Sequence, residues 1–145
     1  MRELPRQLTV DQLAELFEGQ TRLVVRLSEL ENPLEAAPDL IRELPEDEAL
    51  AALSAHPAIG AKGLSERSAR EQGVDHDAAT DAELASLNQA YEQRFGFRFV
   101  VFVNRRPKAA IVPILRERLE RTREEELETA LTELVAIARD RWQNQ

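Results

Sequence analysis

The sequence predicts an all-α fold: a compact, single-domain bundle of about seven or eight helices with one short extended segment near residues 97–103. Three observations lead there. Apolar residues recur at three- and four-residue spacing along most of the chain, the period of a helix with one buried face. Capping boxes of the Thr-x-x-Gln/Glu type begin at Thr9, Thr80 and Thr122. Only one run, Phe97 through Val103 (FRFVVFV), reads as a strand. The chain has 145 residues, 43% of them hydrophobic, with 5 glycines and no cysteine. That length suits one domain burying roughly 70% of its unfolded surface without a covalent staple. The composition argues against long disorder.

The elements follow in order. At the first capping box the Thr9 side chain accepts from the amide of Gln12, whose side chain reaches back. Leu13, Leu16 and Phe17 then form the apolar stripe of a first helix that Gly19 can end. A second helix is expected over residues 20–30, stopping before Asn32-Pro33. Residues 34–44 form a weaker candidate, broken by Pro38. Pro45 suits a first helical position, and Leu50 and Leu53 follow at helical spacing. That helix should end near His56, because Pro57 disfavours helix at the residue before it. Residues 58–63 hold two of the five glycines and read as a loop. Residues 65–72 read as a short helix stopped by Gly73, and residues 73–79 as a polar, exposed stretch. The box at Thr80 starts a helix with Leu84, Leu87, Tyr91 and Phe95 on one face. Pro107 can open the next, which carries Ile111, Ile114, Leu115 and Leu119; Pro113 should kink it or delay its start. The box at Thr122 launches the longest helix, running to about Trp142. No repeat or composition break divides the chain, so residues 1–145 are expected to form a single domain.

Charge and motif content exclude several functions. There are 19 Lys+Arg against 27 Asp+Glu, a net charge of -8, which argues against a nucleic-acid or anionic-membrane surface. Without cysteine there is no disulfide framework, thiolate catalysis or Cys-ligated metal. No apolar run approaches the roughly 20 residues of a membrane span. The first five residues lack the apolar core of a signal peptide, so a soluble, cytoplasmic protein is expected. GxGxxG, P-loop, HExxH and GxSxG motifs are missing, so nucleotide-cofactor and zinc-protease readings lack support. Of the two histidines, His76 lies in Asp75-His76-Asp77; three adjacent residues do not easily converge on one ion, and no metal site is expected.

A few residues fit a bland core poorly. A single strand cannot satisfy its own backbone, so the 97–103 run either finds a short partner or lies extended across the bundle, where some amides could face a ligand. At about 100° per residue, Leu127, Leu131, Leu134, Ala138 and Trp142 share one face of the last helix, and Arg141 falls about 20° from Leu134. An inward arginine must meet an anion, either an internal carboxylate or a substrate carboxylate. Arg139 falls nearer the edge of that sector. Asn88 is the polar intruder on the Leu84–Phe95 face, a typical loop anchor. Ser68, Glu71 and Gln72 share one helix face, an arrangement that usually just meets water. His56, at a helix-to-loop junction, is the best general acid/base candidate at neutral pH, although a lone histidine is more often structural.

In order, these residues resemble a known family. The motifs are His56-Pro57 followed by an Ile-Gly loop, then Ser68-Ala69-Arg70-Glu71-Gln72. Leu87-Asn88-x-x-Tyr91 and Arg94-Phe95-Gly96-Phe97-x-Phe99 come next, and Ile137-Ala138-x-x-Arg141 last. The set is similar to 2-oxo-4-hydroxy-4-carboxy-5-ureidoimidazoline (OHCU) decarboxylases of urate degradation, and it spans nearly the whole chain. One departure stands out: relatives often carry Ser-Pro-Trp after the early Phe-Glu, whereas Phe17-Glu18 here precedes Gly19-Gln20-Thr21.

The resemblance implies an all-helical homodimer that turns OHCU into (S)-allantoin and carbon dioxide without a cofactor. It also implies functional coupling to urate oxidase and 5-hydroxyisourate hydrolase. The substrate holds its own electron sink, an imine carbon beside the carbon bearing the carboxylate, so no cofactor is called for. By the same resemblance His56 is the acid/base and Glu71 its catalytic partner. Ser68, Gln72, Arg141 and Pro57 contact substrate, together with the backbone of Phe99, Val100 and Val101. The alternatives are a non-catalytic helical interaction module, or a same-fold enzyme acting on a related ureido or imidazoline acid.

Overall fold

The computed structural model describes residues 3–56 and 78–144, and its architecture starts from the caps. Thr9 Oγ1 accepts from the Gln12 amide at 3.1 Å while Gln12 Oε1 accepts from the Thr9 amide at 2.9 Å, opening α1 (Val10–Phe17). The residue that ends α1 in the left-handed conformation is Glu18 (φ 64), not Gly19. Gly19 serves a different need: a Cβ there would lie 3.3 Å from the Ala55 Cβ, so it lets the α1 exit approach the end of α4. α2 (Arg22–Ser28) is shorter than the expected 20–30 span, because Thr21 and Glu29 already stand as its caps.

α3 (Pro33–Glu43) corrects the expectation that Pro38 breaks it. A proline inside a helix leaves the carbonyl four residues earlier without its amide donor. That carbonyl belongs to Leu34, and Arg139 donates to it from Nε at 2.9 Å and Nη2 at 2.6 Å. The lost bond is replaced from a neighbouring helix, so α3 runs on. α4 (Glu46–Ala55) carries Glu46, Asp47 and Glu48 in its first turn, favourable against the helix dipole, and stops at His56 as Pro57 requires.

α5 (Ala78–Phe95) is already helical two residues before Thr80, so that box does not mark the start; Ala78 and Ala79 are strong helix formers that extend it. Gly96 (φ 80) closes it. Residues 98–103 are extended and pair with no strand among the described residues, so the run crosses the bundle. Asn104 and Arg105, both left-handed (φ 51 and 61), turn the chain back, with the Arg106 amide donating to the Val103 carbonyl at 3.0 Å. α6 (Lys108–Arg118) starts directly after Pro107, so Pro113 does not delay it. The carbonyl that Pro113 leaves is that of Ala109, which is exposed and open to solvent. α7 (Arg123–Gln143) opens with the Thr122–Glu125 box as expected.

The described residues thus form seven helices. α1, α3 and α4 pack on the long α7, α2 packs against α1, α3 and α4, and α6 lies along α5. The core includes Leu13, Leu23, Leu27, Leu34, Leu53, Leu84, Ile111 and Leu115, all nearly inaccessible. No described helix is long and apolar enough to cross a membrane. The loop expected over 58–63, the helix over 65–72, and most of the polar 73–79 stretch with His76 lie outside the described residues.

Candidate active site

His56 caps the C-terminal end of α4, with only 7% of its surface exposed. Its backbone is held from two sides. Its amide donates to the Leu53 carbonyl at 3.2 Å, and its carbonyl accepts from Arg98 Nη1 at 2.5 Å. The same Arg98 nitrogen also donates to the Ser54 carbonyl at 3.1 Å. A cation against the last carbonyls of a helix satisfies orphan acceptors and complements the dipole. Arg98 therefore ties the extended segment to the histidine.

The His56 ring is buried, and its Nδ1 has no hydrogen-bond partner among the described residues. Burial first, then the nearby Arg141 charge, pull its pKa from 6.5 down to about 4; Glu18 opposes the shift and Arg98 adds to it. At neutral pH the imidazole is uncharged and is a proton acceptor.

Arg141 points inward, as the helix projection requires, with a fully buried side chain. The anion it meets is internal: Nη2 pairs with Glu18 Oε1 at 3.1 Å, while Nη1 donates to the Leu16 carbonyl at 3.0 Å. The pair joins the end of α1 to the last turn of α7, beside the end of α4, so three helix ends meet at His56.

The extended segment brings Phe99, Val100 and Val101 into the core. The Phe99 ring meets Tyr91 edge-on at 5.2 Å and lies under the Arg118 guanidinium at 4.5 Å, so its side chain belongs to the core and leaves only backbone for a ligand. The Val100 carbonyl accepts from Arg118 Nη1 at 2.7 Å. Arg118 Nε in turn binds Glu126 Oε1 at 2.7 Å, and that oxygen also accepts from the Tyr91 hydroxyl at 2.7 Å. Arg121 Nη1 reaches the other carboxylate oxygen at 2.9 Å. Glu126 is wholly inaccessible, yet its charge is paired and hydrogen-bonded, the condition under which burial is tolerable. Phe102 donates its amide to Glu133 Oε1 at 3.4 Å, a weak tie. The amides of Phe99, Val100 and Val101 have no acceptor among the described residues.

The structure therefore brings His56 and Arg141 together and lays the 99–101 backbone next to Arg98, which holds His56. Pro57, Ser68, Glu71 and Gln72 lie outside the described residues. Among the described residues no group of three His, Cys, Asp or Glu side chains surrounds a common point. Sequence reasoning missed Glu18, Arg98 and the Glu126 network. Arg98 had a signal, as the one charge inside an apolar run. So did Glu126, which lies four positions before Ala130 and so about 40° from that buried residue. Glu18 had none beyond its place at the end of the first helix.

An all-helical bundle whose helix ends converge on a neutral histidine and a paired arginine is the frame of a small acid/base enzyme. The chain belongs to the OHCU decarboxylase family, whose model matches residues 2–143. It is 31% identical over 153 residues to the uric acid degradation bifunctional protein PucL of Bacillus subtilis, covering 97% of this chain and 31% of that protein. It is 26% identical over 140 residues to the 2-oxo-4-hydroxy-4-carboxy-5-ureidoimidazoline decarboxylase of Halalkalicoccus jeotgali, covering 89% of this chain and 80% of the relative. The chain thus spans about a third of the bifunctional relative but most of the single-function one. A crystal structure of OHCU decarboxylase in the presence of (S)-allantoin superposes with a TM-score of 0.75 at 28% identity, over 90% of this chain and 94% of that one. A crystal structure of (S)-allantoin synthase shares the fold, with a TM-score of 0.68 at 23% identity, over 93% of this chain and 48% of that one.

Proposed function

We propose that the protein decarboxylates OHCU to (S)-allantoin and carbon dioxide in urate breakdown, without a cofactor. The observation that carries this reading is the buried, uncharged His56 in the field of Arg141, its Nδ1 without a hydrogen-bond partner among the described residues. Family membership and the relatives' activities support it.

The chemistry balances with these groups. The bond from C4 to the carboxylate breaks and carbon dioxide leaves. Its electron pair forms a C4–C5 double bond, and the imine pair moves onto nitrogen, which takes a proton from solvent. His56 accepts the C4 hydroxyl proton as the C4 carbonyl forms, and the imidazolium returns a proton to C5. One proton is consumed overall, as the loss of a carboxylate as neutral carbon dioxide requires. Delivery from one face sets the configuration of the product. Arg141 orients substrate by its planar fork, and Gln72, Ser68, Pro57 and the backbone of Phe99, Val100 and Val101 complete the binding set. Glu71 stabilises the charged imidazole or relays its proton. The resemblance supports these latter roles, together with a homodimeric state and hand-over of substrate from urate oxidase and 5-hydroxyisourate hydrolase. A bifunctional relative of uric acid degradation is in keeping with such coupling.

The test generates OHCU in place from urate with the two upstream enzymes and follows circular dichroism of the allantoin formed. Rapid appearance of optically active product, lost in His56→Ala, is expected. Racemic allantoin at the uncatalysed rate sinks the proposal.

A further inference from the structure

Arg141 reaches the site with its charge already met. Glu18 Oε1 stands 3.1 Å from Nη2, and the Leu16 carbonyl accepts from Nη1 at 3.0 Å. The backbone presenting Glu18 is left-handed (φ 64), a conformation that side-chain-bearing residues adopt at a cost and keep only where the surroundings impose it. Two contacts impose it here. The Gly19 amide donates to the Ala14 carbonyl at 3.0 Å, and Gly19 itself lies so close to Ala55 that an added Cβ would stand 3.3 Å from the alanine Cβ. Ala55 is the residue before His56, so the same packing sets Glu18 and the histidine in register.

We infer that Glu18 is a positioning residue for the decarboxylation proposed above: it fixes the Arg141 guanidinium and compensates its charge, so that the site orients the substrate carboxylate without over-binding it. The reason lies in where charge goes. The carboxylate is anionic in the ground state and departs as neutral carbon dioxide. Attraction to a bare arginine is therefore stronger in the ground state than in the transition state, which tightens binding and raises the barrier. An arginine paired with Glu18 keeps its geometry and loses much of that net attraction. Among the described residues the charged groups facing His56 are Arg141 from α7, Arg98 from the extended segment and Glu18 from the α1 exit; of these three, Glu18 favours the imidazolium.

Glu18→Gln keeps the side-chain shape and a carbonyl acceptor for Arg141 but removes the charge. With OHCU generated in place, KM should fall several-fold and kcat should fall about tenfold, the pattern of a lost ground-state penalty. The acid limb of kcat/KM should also move to lower pH, because a charge that favours the imidazolium is gone. A merely structural Glu18 would lower the melting temperature, or raise KM, with the pH profile unmoved. Glu18→Asp draws the charge back by one methylene and should fall between wild type and Glu18→Gln in both KM and kcat; it carries the test if the glutamine variant does not fold. Unchanged or increased KM in the folded variants overturns the inference. Failure of the wild-type protein to make optically active allantoin overturns the decarboxylase reading, and this inference with it.

Discussion

At the scale of single residues, the informative quantity is the charge state of His56. Its folded pKa of about 4 makes the free protein competent as a proton acceptor throughout the neutral range. The acid limb of kcat/KM should therefore lie near pH 4, not near the ordinary histidine value of 6.5. A limb near 6.5 would mean that the ring is charged or solvated in the working protein. His56→Ala should cost at least about 10²-fold in kcat if the ring moves a proton. Arg141→Ala should chiefly raise KM. His56 and Arg141 were both legible in the sequence, one from its place before Pro57 and the other from the helix projection. Glu18 was not: its importance depends on a left-handed backbone and on a partner more than a hundred positions away, and neither has a local pattern.

At the scale of elements, the chain replaces missing helical hydrogen bonds with arginine side chains. α3 shows this most plainly, because the Leu34 carbonyl that Pro38 strands is taken by Arg139 from α7. Arg139→Ala should cost about 1–3 kcal/mol, the penalty of an unsatisfied buried acceptor. In a Pro38→Ala background residue 38 regains an amide donor for Leu34, so most of that loss should vanish. Denaturant unfolding of the four variants of this double-mutant cycle measures the coupling. Strictly additive costs would show that Arg139 does something other than serve Leu34. The capping boxes at Thr9 and Thr122 were readable because their hydrogen bonds close within one turn. The continuation of α3 through Pro38 was not, since a proline's local cost says nothing about a donor supplied from elsewhere.

At the scale of the whole molecule, two features dominate. Carbonyls left over by helix ends, a proline and the extended segment are met by Arg94, Arg98, Arg106, Arg118, Arg123, Arg139 and Arg141. A planar fork with several donors suits this work better than a lysine ammonium. The second feature is a stability that leans on an uncharged buried histidine. The unfolded imidazole titrates near 6.5 and the folded one near 4, so between those values the unfolded chain binds more protons. The His56 contribution is thus full above about pH 6.5 and lost as pH falls toward 4, by up to about 3 kcal/mol. Chemical denaturation against pH should show this slope, and His56→Gln should flatten it. The variant would keep the further loss at lower pH from carboxyls such as Glu48 and Glu125, held below their ordinary 4.5 by Arg26 and by the Thr122 backbone amide. An undiminished slope between 6.5 and 4 in His56→Gln would assign the titration to other groups.

By itself the sequence determined the helical class, the capped starts of α1 and α7, the stop of α4 at His56 and the inward direction of Arg141. Each of these depends on interactions within a turn or on the period of one helix, so residue order is enough. Only the tertiary structure decided that α3 survives Pro38, that the 98–103 run crosses the bundle with no strand partner among the described residues, and that Glu18 meets Arg141 beside a neutral His56. Those outcomes depend on donors, charges and burial contributed by distant segments, and such contributions exist only once the helices have packed.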